Sequence, residues 1–375
     1  MDPPNRLIYR EMRKQHLIYL LAAALISVIP ACKKTPKYKA LIITGQSEYN
    51  WKISSESAKQ ILDLTGLFKT DIIISPEKGE DMSSFTPAFA DYDLVVSNYF
   101  GDPLNEGTVS ALTEYVKGGG GLVIYNSLSD RVTASSETVS VTKRHDFEIR
   151  NAITDHPVTE GLPLRWVHQA DLILNGIELA GEGPQVLATA YSDTAYSGSG
   201  RREPVMIAWN LGKGRIFATM IGTPDDIENN ALHCAGFIVT LQRGAEWAAS
   251  GTVTQDVPSD FPTAAGPVLR PDFTEITSDE VFENIGDYDI SKSTKYFTCM
   301  QNMIRKAEGD AETLLDIEKK MVKVLEDDET ATEAKKLLLR ELSWMGSEYC
   351  LPAIEALSSV QELADDVDFA LNRLR

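Results

Sequence analysis

The residues of this chain best suited to chemistry are its histidines, and three of the five fall between positions 145 and 168. Each has a carboxylate close by in sequence: Asp146 beside His145, Asp155 beside His156, and Asp171 after His168. Imidazole changes its charge near neutral pH, so an imidazole beside a carboxylate is suited to passing protons or to holding a ligand. His145 follows two basic residues and opens the strand-like run HDFEIR, where its ring could serve as acid, base or metal ligand. Asp155-His156-Pro157 has the make-up of a turn, in which the Asp bonds the backbone and the Pro fixes the exit. His168, with Trp166 before it and Asp171 after it, reads as a ligand contact. An indole face can stack on a ring while imidazole and carboxylate bond its polar groups. The acid/base candidates are therefore His145, His156 and Asp171, with Trp166 and His168 positioning the ligand. Each has a plainer reading: a surface His, a turn cap, a core Trp. His233-Cys234 sits in a helical pattern and reads as structural.

None of the His spacings matches H-x-x-x-H or H-E-x-x-H, so a divalent metal would have to be assembled in space and the cofactor is left undetermined. Gly118 to Gly121 lies between a helix and a strand, which makes it a helix cap and turn, not a phosphate cradle. Gly198, Gly200, Arg201 and Arg202 form a basic loop before a strand, from which Arg202 could cover a pocket or bond an anionic ligand.

The elements that must position these groups alternate short apolar runs with amphipathic stretches from residue 39 to about 248. Strands are expected at Lys39–Thr44, Asp71–Ser75, Asp93–Ser97, Gly121–Tyr125, Gln185–Ala190, Pro204–Asn210 and Gly214–Met220, with a hairpin at Leu211-Gly212-Lys213. Helices are expected from Ser54 to Leu64, from Thr108 to Lys117, and as one closing helix from Asn229 to Ala248. This is an α/β domain with a doubly wound sheet, whose sites belong at the carboxyl ends of the strands. Residues 250–289 are rich in Pro, Thr, Ser and Asp, with Pro258, Pro262, Pro267 and Pro271 barring long elements, so they read as a linker or strap. Residues 290–375 are helical only. The segment LLLRELSWMGSEYCLPAIEAL, a helix, a Gly break and a helix begun with Pro, resembles a HEAT repeat. Its apolar face either docks on the α/β domain or meets a protein partner.

Residues 1–31 read as an address. From Met12, the expected start, a short basic stretch precedes an apolar run from Leu17 to Ile29 that is too short for a comfortable membrane span. Ile29-Pro30-Ala31-Cys32 resembles a bacterial lipobox, which would make Cys32 the lipidated first residue and residues 32–38 a polar tether to the cell envelope. The other cysteines, Cys234, Cys299 and Cys350, are widely spaced and read as buried thiols. With 36 Lys and Arg against 55 Asp and Glu, the net charge of −19 repels a phosphate backbone, so no nucleic-acid partner is expected.

Several segments together resemble the ThuA-like (trehalose-utilisation) family, whose fold is that of class I glutamine amidotransferases. They are KALIITGQSEYNW (39–51), VKGGGGLVIYNS (116–127), HDFEIRNAITDHPVTEGLP (145–163), HQADLIL (168–174) and EPVMIAWNLGKGRIFATMIG (203–222). A further stretch, 233–263, is similar to the subgroup with a HEAT-like tail. The resemblance implies an α/β domain over residues 39–249 acting on, or binding, a disaccharide or keto-glycoside. Amidotransferase chemistry itself is excluded, because Tyr125-Asn126-Ser127 follows the fourth strand where a Cys nucleophile would be needed. Many relatives carry His where Asn126 stands and Gly-His where Gly222-Thr223 stands. Asn126 is thus expected to contact substrate without titrating, and a degenerate binding protein is the alternative to an enzyme.

Overall fold

The computed structural model describes residues 35–47, 49–125, 140–179, 183–225 and 228–375. Cys32, Asn126 and Ser127 lie outside the described residues. The strands are β1 (Tyr38–Thr44), β2 (Phe68–Ile74), β3 (Leu94–Ser97), β4 (Gly121–Tyr125), β5 (Ser140–Val141), β6 (His145–Asn151), β7 (Arg165–Asp171), β8 (Leu174–Asn175), β9 (Gln185–Tyr191), β10 (Arg202–Leu211) and β11 (Gly214–Thr219). The helices are α1 (Trp51–Leu64), α2 (Glu106–Gly118), α3 (Asn230–His233), α4 (Ala235–Ser250), α5 (Ser278–Asn284), α6 (Lys295–Lys306), α7 (Ala311–Glu326), α8 (Thr332–Met345), α9 (Leu351–Ala356) and α10 (Ala364–Leu374).

Nine strands form one mixed sheet in the order β2-β1-β3-β4-β11-β10-β9-β6-β7. β2, β1, β3, β4 and β11 are parallel, and from β10 onward each strand is antiparallel to its neighbour. The parallel half is covered on both faces, which is why its strands are near-continuous apolar runs. Ile42, Val96 and Val123 pack with α1 and α4 on one face, while Ile43, Val95 and Ile124 pack with α2 on the other. The chain leaves β1 toward β2 on one side and returns as β3 on the other. This reversal opens a crevice outside the carboxyl ends of β1 and β3.

The strands expected from the sequence are present with small shifts at their ends, and the β10–β11 hairpin closes at Leu211 and Gly214. Three expectations are corrected. α1 begins at Trp51, not after Ser54, because the Asn50 side chain caps it by accepting the Ile53 N–H at 3.3 Å. The closing helix is two helices broken at Cys234, which is extended (φ −66°, ψ 121°). The reason is tertiary: the Ala235 N–H donates to Val268 O at 2.8 Å and the Arg270 N–H to His233 O at 2.7 Å. Bonds that would have continued a helix are given to the strap. Arg202 lies in β10, paired with Tyr191, and not in a loop.

Residues 250–277 are a strap, and the helical region begins earlier than expected, at α5 (Ser278–Asn284). The Val167 N–H donates to Thr263 O at 3.1 Å, so the strap covers the β7 edge, which would otherwise present unpaired backbone. A buried ion pair fixes it: Arg270 Nε donates to Asp260 Oδ2 at 2.6 Å, and the Ile276 N–H donates to the same oxygen at 3.1 Å. The helical region docks on the α/β domain through the strap. Ala235 of α4 and Val268 and Ile276 of the strap belong to the core formed by α5 to α10. Asn302 of α6 donates to Ser259 O and Phe261 O.

Candidate functional site

β7 builds the site. In a regular strand, residues three apart point to opposite faces of the sheet. His145 pairs with Asp171 and Phe147 with His168, so between these pairs β6 has one residue, Asp146, and β7 has two, Gln169 and Ala170. This is a β-bulge, with Ala170 at φ 49° and its N–H donating to Asp146 Oδ1 at 2.9 Å. The extra residue turns Asp171 round to the face of His168. His168 Nε2 and Asp171 Oδ2 then meet at 2.8 Å, both fully buried.

Asp171 also ties β7 to the exit of β11. Its carboxylate accepts the Gly222 N–H at 2.6 Å and the Thr223 N–H at 3.3 Å. The Arg144 guanidinium lies 3.7 Å from it and donates to Ala170 O and Thr223 O, each at 3.0 Å, and to Pro224 O. Gly222 must be glycine: its φ is +86°, and a Cβ there would fall 2.3 Å from the Phe237 ring. The Tyr125 hydroxyl at the end of β4 donates to Gly222 O at 2.7 Å. Burial works against a charge on His168, but the Cys234 sulfur and the Asp171 carboxylate outweigh it and hold the imidazole at about 10.

His145, opposite Asp171, stacks on Tyr196 with ring centroids 4.0 Å apart and planes 7° from parallel. Its Nδ1 lies 2.9 Å from Lys143 O, an acceptor only, so Nδ1 donates to it. Nε2 is buried and has no partner. At the ends of β1 and β3, several strands away in the sheet, lies a buried uncharged set. Ser55 donates to Thr44 Oγ1 at 2.8 Å, and Asn98 donates to Ser54 and Ser55 at 2.9 and 2.8 Å.

The structure thus brings His145, His168 and Asp171 together. His156 lies elsewhere. Its ring meets Trp247 edge-on at 4.7 Å, near the C-terminal end of α4, while Cys234 and His168 are at the N-terminal end, roughly 18 Å away at 1.5 Å per residue. Burial lowers its pKa, and its Nδ1 accepts the Val158 N–H at 3.2 Å, as a turn cap would. Trp166 is fully buried against Phe261, and a Cβ on Gly236 would fall 2.2 Å from its ring, so neither face is open to a sugar. Arg202 lies 3.5 Å from Glu148, on the sheet face opposite His168. Sequence reasoning missed Arg144 and the strand character of β7. The polar His168 and Gln169 interrupt the period-two pattern that marks a strand.

Among the described residues, no three His, Cys, Asp or Glu groups come close enough to hold a metal ion. No helix among them is long and apolar enough to cross a membrane. An open cleft of about 670 Å³ lies between strap and helices, lined by Ile276, Met303, Lys306, Asp310, Ile317 and Lys320. Its charges are partly paired, Lys320 with Asp279 at 3.0 Å, and they converge on no common point.

The family model for ThuA, trehalose utilisation, matches residues 39–248. Among solved structures, a ThuA-like protein from Parabacteroides merdae ATCC 43184 is 38% identical, with a TM-score of 0.59, over 64% of this chain and 99% of its own. A ThuA-like protein from Bacteroides uniformis ATCC 8492 is 15% identical, with a TM-score of 0.42, over 64% of this chain and 97% of its own, too distant to add to the first. No curated protein matches the chain.

Proposed function

The chain belongs to the ThuA (trehalose utilisation) family, and on that premise we propose that it binds or processes a disaccharide or keto-glycoside over the carboxyl ends of β1, β3, β4 and β11. The observation that carries the reading is the Nε2 atom of His145, buried and without a partner. A buried polar atom left unpaired costs free energy that a ligand hydroxyl would recover. His145 would take or give the proton of a sugar hydroxyl, with its tautomer set by Lys143 O. Asp171 and His168 hold the surrounding backbone in place, and Thr44, Ser54, Ser55 and Asn98 are buried polar groups at the ends of β1 and β3.

We also propose that Cys32 anchors the chain by lipid to a bacterial membrane, on the lipobox-like run before it and the polar tether after it. A second reading, a degenerate binding protein with a HEAT-like scaffold for a protein partner, is favoured by one feature. Trp344, Tyr349 and Phe369 of the helical region are 66%, 49% and 47% exposed.

The test is NMR detection of product when the chain from Lys33 onward is mixed with trehalose and its keto derivative, with and without divalent metal. Conversion abolished by His145→Gln supports an enzyme. Shifts of the sugar signals without conversion support the binding reading, and no change in either removes the sugar.

A further inference from the structure

The helical region carries an exposed aromatic patch with a cation fixed on it. Trp344, near the C-terminal end of α8, is 66% exposed, more than any other aromatic residue among those described. The Arg373 guanidinium of α10 lies over its ring, 3.4 Å from the centroid, and 5.9 Å from the centroid of Phe369, one turn earlier on α10. Arg373 Nε donates to Ser343 O at 3.3 Å, which ties the stack to the backbone of α8. Arg340 precedes Trp344 by four residues on α8, and long helical side chains lean toward the N-terminus, so Trp344 leans toward Arg340. Tyr349, also exposed, follows in the turn after α8.

Neither arginine has a carboxylate. Among the described residues Arg340 makes no ion pair or side-chain hydrogen bond, and the two terminal nitrogens of Arg373 have no acceptor. Arg375, two residues further on, is by contrast paired with Glu355. In a chain with 55 acidic residues against 36 basic ones, two arginines without an acid beside exposed aromatic rings stand apart from the rest of the surface. A guanidinium already held flat on an indole offers a carboxylate two parallel N–H donors with little further loss of freedom. Trp, Tyr and Arg are also the side chains on which protein interfaces concentrate their binding energy.

We infer that the face formed by α8 and α10 is a docking surface for another protein, through a segment that presents an Asp or Glu carboxylate beside an apolar side chain. The carboxylate meets the fork of Arg373 and the apolar side chain covers Trp344 and Phe369. This rests on the partner reading above and names the chemistry of that partner. Other occupants fit less well. A second copy docked across a two-fold axis would set Arg340 and Arg373 against the same cationic patch of its partner. Anionic membrane surfaces are held by clusters of about four to eight basic residues, and this face offers only Arg340 and Arg373 unpaired.

The experiment pans a phage-displayed library of random peptides against the folded chain from Lys33 onward, then titrates the selected peptides against the parent and two variants at exposed positions, Trp344→Ala and Arg373→Gln, each checked by its urea midpoint. The expected result is enrichment of peptides with Asp or Glu next to Phe, Leu or Trp. Their binding is expected to weaken roughly tenfold or more in either variant and when the peptide's own carboxylate is replaced by its amide. Arg373→Lys, which keeps the charge and loses the fork, is expected to recover only part of the affinity. Peptides that need Trp344 but are indifferent to Arg373→Gln and to loss of their carboxylates overturn the acidic segment and leave a partner with an apolar one. No enrichment, or peptides that bind all variants equally, overturns the partner reading as well. Binding to phosphatidylglycerol vesicles that Trp344→Ala abolishes, with no peptide enriched, replaces the protein partner by a membrane.

Discussion

His168 and Asp171 are three residues apart on one strand and yet share a face of the sheet, 2.8 Å from ring nitrogen to carboxylate oxygen. Ala170, at φ 49°, makes this possible, and an L-residue there carries roughly 1–2 kcal/mol of strain. Ala170→Gly is expected to be neutral or stabilising by up to about 1 kcal/mol, since glycine adopts that φ freely. Ala170→Val, β-branched at positive φ, is expected to destabilise by about 2 kcal/mol or more and to separate the pair. Urea midpoints of the two variants check both, and equal effects would mean that the bulge does not depend on this backbone angle.

The pH dependence of stability distinguishes a thiolate from a thiol beside His168. An imidazole raised from 6.5 to about 10 contributes stability that is complete below pH 6.5 and lost as pH rises through about 10. A thiol depressed from 9.0 contributes stability that is present above pH 9 and lost as pH falls. Between pH 6.5 and 9 the slopes cancel, because folded and unfolded pairs each hold one proton. The stability difference between the parent and a Cys234→Ala/His168→Asn double variant is therefore expected to be level from pH 6.5 to 9 and to narrow on either side. A difference shrinking steadily from pH 6.5 upward would mean a neutral thiol.

Substitution at His145 and at His156 should separate chemistry from packing. His145→Gln is expected to abolish sugar conversion, or to weaken sugar binding, with little loss of stability. His156→Ala is expected to leave both sugar readouts unchanged while lowering stability by about 1 kcal/mol, through loss of the edge contact with Trp247 and of the bond from Val158. NMR turnover assays and urea melts on both variants test the contrast. Loss of conversion in His156→Ala would put the site at the other end of α4.

The strap depends on one buried pair. Asp260→Ala leaves the Arg270 guanidinium buried without its carboxylate and the Ile276 N–H without an acceptor, an expected loss of about 3–5 kcal/mol. Limited proteolysis should then cut within residues 250–277 before the sheet, and a parent-like cleavage pattern would show that the strap is held by its apolar contacts instead.

Much of the fold was legible in the sequence because it rests on local pattern. KALIIT, DLVVS and GLVIY are buried on both faces and so read as strands, Leu211-Gly212-Lys213 turns a hairpin, and the prolines after residue 250 exclude regular elements. These segments, compared as wholes, also sufficed for the family. The candidate site was legible only in part. His145, His168 and Asp171 could be picked out by residue type, but Trp166, His156 and Arg202 were picked out on the same grounds, and spacing along the chain does not say which face of which element a side chain occupies.

That decision belonged to the tertiary structure, for physical reasons visible at three residues. Ala170 turns Asp171 onto the face of His168 by a bulge that exists only in pairing with Asp146 of β6. Cys234 leaves the helical pattern because the strap offers its backbone better partners than the next turn would. The sequence by itself determined that an α/β sheet forms and that titratable groups lie near its end. Which of them meet, and which charge each carries, was set by hydrogen bonds between segments more than fifty residues apart, such as Asp171 to Gly222.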